Sequence, residues 1–410
     1  MNNIALEGVT VVDMSRVLAG SYCTMLLADM GARVIKVENA NDKDVARIYG
    51  PHVGSESGYY MTLNCNKESI SLNLKTEEGK KILRTLIEHA DILVENFRPG
   101  VMKKLGFDYE AVREYNPAIV YASISGFGQT GPYSQRPSYD IVAQAMGGLM
   151  AVTGDPDRGP TKVGANVGDA ASGLMACIGL LAAYSGRLKT GKGQYIDVAM
   201  ADTIFSILAT RNHVYYLTGE LPVRHGNRDE LSCPYGIYEC SDGHALIGCA
   251  HRRFFQSLCE IMGTPDLADD PRFCTHDLAA EHRFELDPII EKWAKSKTVD
   301  ELVALLSQAG IPTAPVYNVA QIADDPQIAG VRKMVREQDH PYVGKVKVTG
   351  NPIKMSETPT DEIRRHSPML GEQTDMILKE FLHYDDEKID ELRKDDVIGQ
   401  QDYKQCEKRE

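Results

Sequence analysis

The chain has 410 residues, 43% hydrophobic and 25% charged, with a formal net charge of −13. That length is enough for two or three cores, and the composition is that of a soluble globular protein. The acidic balance argues against general binding to nucleic acid or an acidic membrane, while local basic clusters can still hold a phosphorylated small molecule. No apolar run is as long as a membrane span. The longest, Ala170 to Ala183, contains Ser172 and two glycines and reads as a buried helix. The N-terminus runs straight into Leu6-Glu7-Gly8-Val9 without a signal-like stretch, so a cytoplasmic location is the default expectation. Nine scattered cysteines, with no C-x-x-C and no zinc-ligand spacing, read as reduced and mostly buried thiols.

In chain order, Val9 to Asp13 predicts a buried parallel strand. Ala19 to Met30 predicts a helix with Tyr22, Met25, Leu26 and Met30 on one face and Gly31 at its end. Val34 to Glu38 is the next strand, which makes a βαβ opening close to a nucleotide-binding half-fold. The first turn has one glycine and lacks the dinucleotide fingerprint. Ile70 to Leu74 predicts a strand, Thr76 to His89 a helix capped by Thr76, and Ile92 to Asn96 and Ile119 to Ser125 two further strands. Gly126-Phe127-Gly128-Gln129-Thr130-Gly131 matches G-x-G-x-x-G, but Pro132 to Pro137 follows instead of an apolar helix. A glycine loop bordering a site is the better reading. Gly186 to Gly193 nearly matches a P-loop but follows a helix, so it reads as a helix C-terminal turn.

Asp202 to Leu217 predicts a connecting helix. Tyr235 to Cys240 and His244 to Cys249 flank Ser241-Asp242-Gly243 as a hairpin. Helices are expected around Phe254 to Met262, Arg283 to Lys295 and Val299 to Gln308, then a strand from Gly344 to Val348. Helices at Thr374 to Leu382 and Asp386 to Arg393 end the pattern. The last dozen residues, from Gly399 to Glu410, are polar and expected to be disordered.

Among the chemistry-bearing residues, no G-x-S-x-G elbow and no H-E-x-x-H occurs, and the histidines are isolated. Two carboxylates, Asp140 and Asp169, each sit in an otherwise uncharged neighbourhood and precede helices of small residues. Two readings stand side by side for each. As a helix cap, the side-chain oxygen accepts an orphan backbone N–H. As a nucleophile at the positive end of a helix, Asp169 would have exposed N–H groups beside it for a developing oxyanion.

Ordered motifs bear on that choice. Leu6-Glu7-Gly8-Val9, Arg16-Val17-Leu18-Ala19-Gly20 and Leu27 to Glu38 resemble the opening of the family III CoA-transferases, the CaiB/BaiF group. So do Asn64-Cys65-Asn66-Lys67, Val94 to Gly100, Ser125 to Pro132, Tyr139-Asp140, Gly168-Asp169, Thr190 to Gln194 and Leu370 to Thr374. The likeness runs in order from about residue 5 to 398 and is strongest to the succinate–hydroxymethylglutarate branch and its bacterial relatives.

The resemblance implies an α/β fold with a large Rossmann-like domain built from both chain ends (1–200 with 326–398). A linker helix (201–224) and a small α+β domain (225–325) follow from it, and two chains interlock as rings in a homodimer. The implied partners are an acyl-CoA and a carboxylic acid, with coenzyme A as substrate and neither a tightly bound cofactor nor a metal. Asp169 matches the family's attacking aspartate, and Asp140 is the second catalytic carboxylate. Val17, Ala19, Leu72, Lys75, Asn96, Phe97, Arg98, Lys104, Arg136 and Tyr139 match coenzyme A-binding positions. The N-terminus of the helix at Ala170 to Ser172 is expected to stabilise the carboxylate and oxyanions, and Gly126 to Gly131 to close over the centre.

Two departures stand out. Asn39 replaces a basic residue of the formyl-CoA transferases, and their tetraglycine lid is missing, which points away from formyl or oxalate exchange. An α-methylacyl-CoA racemase is a rival, but the racemases carry a histidine where Tyr139 stands. A non-catalytic CoA-binding protein is another rival, opposed by the intact Gly168-Asp169.

Overall fold

A computed structural model describes residues 4–39 and 41–399. The tail expected to be disordered lies outside the described residues, apart from Gly399. The chain divides into two compact units. One contains residues up to Leu149, Val163–Thr210 and the chain from Asp325 onward; the other contains Met150–Lys162 and Arg211–Asp324.

The first unit is built on a six-stranded sheet. Its elements, in chain order, are β1 (Thr10–Asp13), α1 (Ala19–Asp29), β2 (Arg33–Glu38), α2 (Gly58–Leu63), β3 (Lys67–Ser71), α3 (Glu77–Glu88), β4 (Ile92–Glu95), β5 (Val120–Ser125), α4 (Asp140–Met146), α5 (Val167–Thr190), β6 (Tyr195–Ala199) and α6 (Met200–Ile207). The sheet order is β3-β2-β1-β4-β5-β6, and every pairing is parallel. Val12 pairs with Ile35 on one side and Leu93 on the other. The strands read as unbroken apolar runs because both faces are covered. On one face, Ile82, Leu86 and Ile87 of α3 pack with Ile377, Leu378, Ile389 and Leu392 from Thr374–Leu382 and Asp386–Lys394. On the other, Cys23, Leu26 and Leu27 of α1 pack with Ala176 and Leu180 of α5. This is a mixed α/β, Rossmann-like fold.

Chain order runs outward from β1 through β2 to β3 and returns to β4 beside β1. The crevice above the C-terminal ends of β1 and β4 is therefore a topological switch point, where open α/β sheets take their ligands. Gly173 sets how closely α5 approaches this crevice. A Cβ there would lie 2.6 Å from the Ala19 carbonyl oxygen, so only glycine allows the contact with α1.

Three expectations need correction. The strand expected at Ile70 to Leu74 is Lys67–Ser71. Ser71 pairs with Glu38, where β2 ends, so Leu72 leaves the ladder and bridges Ile398 instead. The connecting helix breaks in two, α6 and Arg211–Thr218, at Ala209, whose φ of 47° no α-helix accommodates. Finally, α5 is buried on one face only. Ser172, Gly173, Ala176, Cys177 and Leu180 face inward, while Leu174, Met175 and Ile178 are exposed. By length and composition alone α5 could cross a membrane. Its packing on α1 and the sheet accounts for the apolar character of its inner face.

The second unit holds a three-stranded antiparallel sheet, Thr313–Pro315, His244–Gly248 and Tyr235–Glu239, with the expected hairpin registering Ala245 opposite Tyr238. Phe255, Leu258, Phe273, Leu286, Ile290 and Leu302 form its core. Residues 150–162 group with this unit, and the segment read from the sequence as a linker, 201–224, is divided, with 201–210 in the first unit and 211–224 in the second. All eight cysteines among the described residues are free, and seven are buried.

Candidate active site

The loop after β1 is fixed from beneath. Asp13 is fully buried at the end of the strand, and its Oδ2 accepts the Thr24 hydroxyl at 2.7 Å and Lys67 Nζ at 3.1 Å. Lys67, fully buried on β3, also donates to the Ser21 carbonyl at 3.0 Å and to Asn64 Oδ1 at 2.9 Å. Burial pulls the Lys67 ammonium down to about 8, against the pull of Asp13. Lys36 Nζ donates to the Ser15 carbonyl at 2.7 Å. These contacts tie Asn64 and Lys67 to the β1 turn.

The loop after β4 is joined to this one across the switch point. Arg16 N–H donates to Asn96 Oδ1 at 2.7 Å, and Asn96 Nδ2 donates back to the Arg16 carbonyl at 2.8 Å. Glu95, buried at the end of β4, accepts the Phe97 N–H at 2.8 Å. Burial pushes the Glu95 carboxyl up to about 7. Val17 is held at φ 61° by its N–H bond to Asp44 Oδ1 at 3.1 Å. A β-branched residue in the left-handed region is strained, and such strain concentrates at ligand sites.

Two clefts meet here. The inner one, about 760 Å³, is lined by Arg16, Val17, Ala19, Asn96, Phe97, Arg98, Gly126, Ser134, Arg136, Ser138, Tyr139, Asp169 and Met200 among others. The outer one, about 770 Å³, is lined by Lys36, Asn39, Leu72, Leu74, Lys75 and Leu105, and shares Arg16 and Phe97 with the inner cleft. Nine sequence-assigned binding residues are thus brought to two adjoining clefts. Lys104 is exposed on Val101–Leu105 and lines neither. On a chain of net charge −13, Arg16, Arg98 and Arg136 outnumber Asp169 on the inner cleft and make it locally basic, whereas on the outer cleft Arg16, Lys36 and Lys75 are balanced by Glu38, Asp42 and Asp44.

Asp169 lies on the inner cleft, but its position in the helix differs from the expected cap. Asn166 is the N-cap residue and makes no side-chain cap bond, so Asp169 is the third residue of α5. The capping carboxylate is Asp140, at the start of α4. Its Oδ1 accepts the Gly168 N–H at 2.7 Å and the Asp169 N–H at 3.3 Å. Asp140 therefore caps the neighbouring helix rather than its own, whose N-cap is Tyr139. The expected N–H groups at Ala170 to Ser172 are not free for an oxyanion. Ala170 N–H bonds the Asn166 carbonyl, and the following residues are inside the helical ladder.

Asp169 is half-buried, and desolvation, then the Asp140 charge, raises its carboxyl to about 7. Tyr59 of α2 faces it: burial and the Asp169 charge push the phenol up, while Asn166 hydrogen-bonds it. Tyr59, Glu95 and Arg16 were not singled out as site residues from the sequence. Tyr59 sits in no motif. Arg16 and Glu95 stand inside quoted motifs; the fold brings Arg16 to both clefts, while the buried Glu95 borders a separate cavity with Arg98 and Tyr121. The glycine loop is tied down by Gln129 N–H to Asp197 Oδ2 at 2.9 Å, and Gly126 lines the inner cleft.

This constellation is a half-buried carboxylate at a helix N-terminus, inside a basic cleft at a sheet switch point. Residues 6–374 match CoA-transferase family III. The chain is 39% identical over 377 residues to the acetyl-CoA:oxalate CoA-transferase of Acetobacter aceti, covering 92% of this chain and 95% of that protein. It is 38% identical over 405 residues to the succinyl-CoA:glutarate CoA-transferase of Homo sapiens, covering 98% and 91%. A solved CAIB/BAIF family protein from Brucella suis superposes with a TM-score of 0.83 at 37% identity, covering 92% of this chain and 100% of that one. The chain is a transferase that acts on CoA thioesters. It belongs to CoA-transferase family III.

Proposed function

We propose that this enzyme exchanges CoA between a dicarboxyl-CoA, with succinyl-CoA the leading donor, and a carboxylic acid acceptor, through covalent intermediates on Asp169. The observation that carries the reading is Asp169 among the residues lining the basic inner cleft, in the first turn of α5. A carboxylate oxygen attacks the thioester carbonyl and the C–S bond breaks, leaving a mixed anhydride and CoA thiolate. The thiolate attacks the aspartyl carbonyl, releasing the donor acid and forming an aspartyl-CoA thioester. The acceptor carboxylate attacks that thioester, giving a second anhydride and free thiolate. The thiolate then takes the acceptor acyl group and restores Asp169. Each step exchanges one acyl bond for another, so no oxidant or reductant enters.

Arg98 and Arg136 on the inner cleft and Lys75 on the outer supply cations for the pyrophosphate and 3′-phosphate of CoA. Val17, Ala19, Asn96 and Phe97 bracket the junction of the clefts, where the pantetheine arm would pass. Asp140 has Oδ1 committed to Gly168 and Asp169 and Oδ2 to Gln144. It acts by holding the helix end, and a base so occupied is poorly suited to the second proton transfer that racemisation needs. Relatives named for succinyl-CoA and glutarate support the donor class. The exposed Leu174, Met175 and Ile178 on α5 support covering by a second copy of the chain in a homodimer.

The deciding experiment replaces Asp169 with Ala. Transfer should be abolished while acyl-CoA still binds, and wild-type enzyme trapped with acyl-CoA and hydroxylamine should be modified in the peptide containing Asp169. Turnover by the variant, or trapping at another carboxylate, would overturn the assignment.

A further inference from the structure

We propose that Gln144 is a positioning residue for the transfer reaction, clamping Asp140 to the loop before α5 and so fixing the orientation of the Asp169 carboxylate. The proposal rests on Asp169 being the nucleophile. Gln144 follows Asp140 by four residues on α4, so the two side chains share a helix face. It is fully buried. Its Nε2 donates to Asp140 Oδ2 at 2.7 Å and to the Ala165 carbonyl at 3.3 Å, and its Oε1 accepts the Val163 N–H at 3.0 Å. One amide thus ties α4 to both ends of the 163–165 segment.

The consequence runs through Asp140. With Oδ2 taken by Gln144, only Oδ1 is turned to α5, where it accepts the Gly168 and Asp169 N–H groups. A carboxylate held at both oxygens has no rotamer to drift into, and neither does the helix end it grips. Gly168 takes part too: a Cβ there would lie 3.0 Å from Asp140 Oδ1, so the helix end approaches the carboxylate closely. Gln144 lines neither cleft, so it acts on the chemistry only through Asp140 and α5. A buried glutamine serving only to satisfy backbone groups would change stability when replaced, and not the reactivity of Asp169.

The two roles separate in the kinetics of Gln144→Leu and Gln144→Glu, assayed beside wild type and Asp169→Ala. Gln144→Leu should lower kcat by about 10- to 100-fold, the cost of misplacing a reacting group. KM for acyl-CoA should stay within about twofold, because no binding contact is lost. Gln144→Glu keeps the shape and decides the matter if the leucine variant does not fold. Protonated, the new side chain donates to Asp140 and accepts from Val163; ionised, it opposes Asp140. Burial and the adjacent Asp140 carboxylate raise the pKa of a glutamate placed here well above its ordinary value, so the variant's kcat relative to wild type should be highest at about pH 6 and fall progressively toward about pH 8.5. A flat ratio across that range, or a folded leucine variant with wild-type kcat, overturns the proposal. Turnover by Asp169→Ala would instead overturn the nucleophile assignment, which distinguishes the two failures.

Discussion

Asp140 caps the helix that carries Asp169: one carboxylate oxygen accepts the backbone N–H of Gly168 at 2.7 Å and that of Asp169 itself at 3.3 Å. The same carboxylate helps raise the Asp169 carboxyl to about 7, after desolvation. Support for the backbone and repulsion of the side chain thus come from one residue.

The reactive form of Asp169 is the carboxylate, so kcat/KM for acyl-CoA should rise with pH through about 7 and then level off. Asp140→Asn removes the charge; its one oxygen can still accept the Gly168 N–H, while the bond from Gln144 Nε2 is lost unless that amide turns over. The acid limb of that variant should lie at lower pH. An acid limb near the ordinary carboxylate range in wild-type enzyme would show that desolvation and Asp140 do not raise the Asp169 carboxyl.

Stability should carry the opposite signature. The folded state binds the Asp169 proton more tightly than the unfolded chain, so the contribution of this group to stability declines as pH rises from about 4 to about 7. Asp169→Asn removes that penalty. Its Tm should exceed wild type at pH 8, by a stability on the order of 1–3 kcal/mol, with the gain shrinking toward pH 4. Calorimetry at the two pH values checks this.

Lys67→Met should destabilise strongly. It strips the buried Asp13 of a charge partner 3.1 Å away, and breaking a buried pair from one side costs about 3–5 kcal/mol. Urea titrations of Lys67→Met and of Lys67→Met with Asp13→Asn provide the measurement; the second change should recover part of the loss.

Lys75→Ala should raise KM for CoA thioesters about tenfold with little change in kcat, because it lines the outer cleft away from Asp169. If Lys75 serves the 3′-phosphate, the difference should vanish with 3′-dephospho-CoA substrates. A fall in kcat alone would place it elsewhere.

Much of the fold was legible because it rests on local pattern. Ile92-Leu93-Val94 is a covered parallel strand, and Thr76 caps α3 as its residue type predicts, accepting the Gly79 N–H at 3.1 Å. Of the ten binding positions that the ordered motifs implied, nine line the two clefts and Lys104 does not. What stayed hidden depends on contacts between distant residues. Asp169 has a cap-forming side chain, yet the cap comes from 29 residues earlier. Asn166 has the right type for the N-cap but hydrogen-bonds Tyr59 instead. No spacing rule reaches across α4, the intervening segment and α5. The break at Ala209 was hidden for another reason: alanine favours helix, and only the backbone path imposes the positive φ.

The buried Lys67 ammonium grips Asp13 and the Ser21 carbonyl at the two ends of the turn that carries Arg16 and Val17. The conformational entropy of that turn is therefore lost during folding, before any thioester arrives. Acyl-CoA should meet a finished wall, and association should proceed at a rate set by diffusion and the basic inner cleft, without a slow ordering phase in stopped-flow binding.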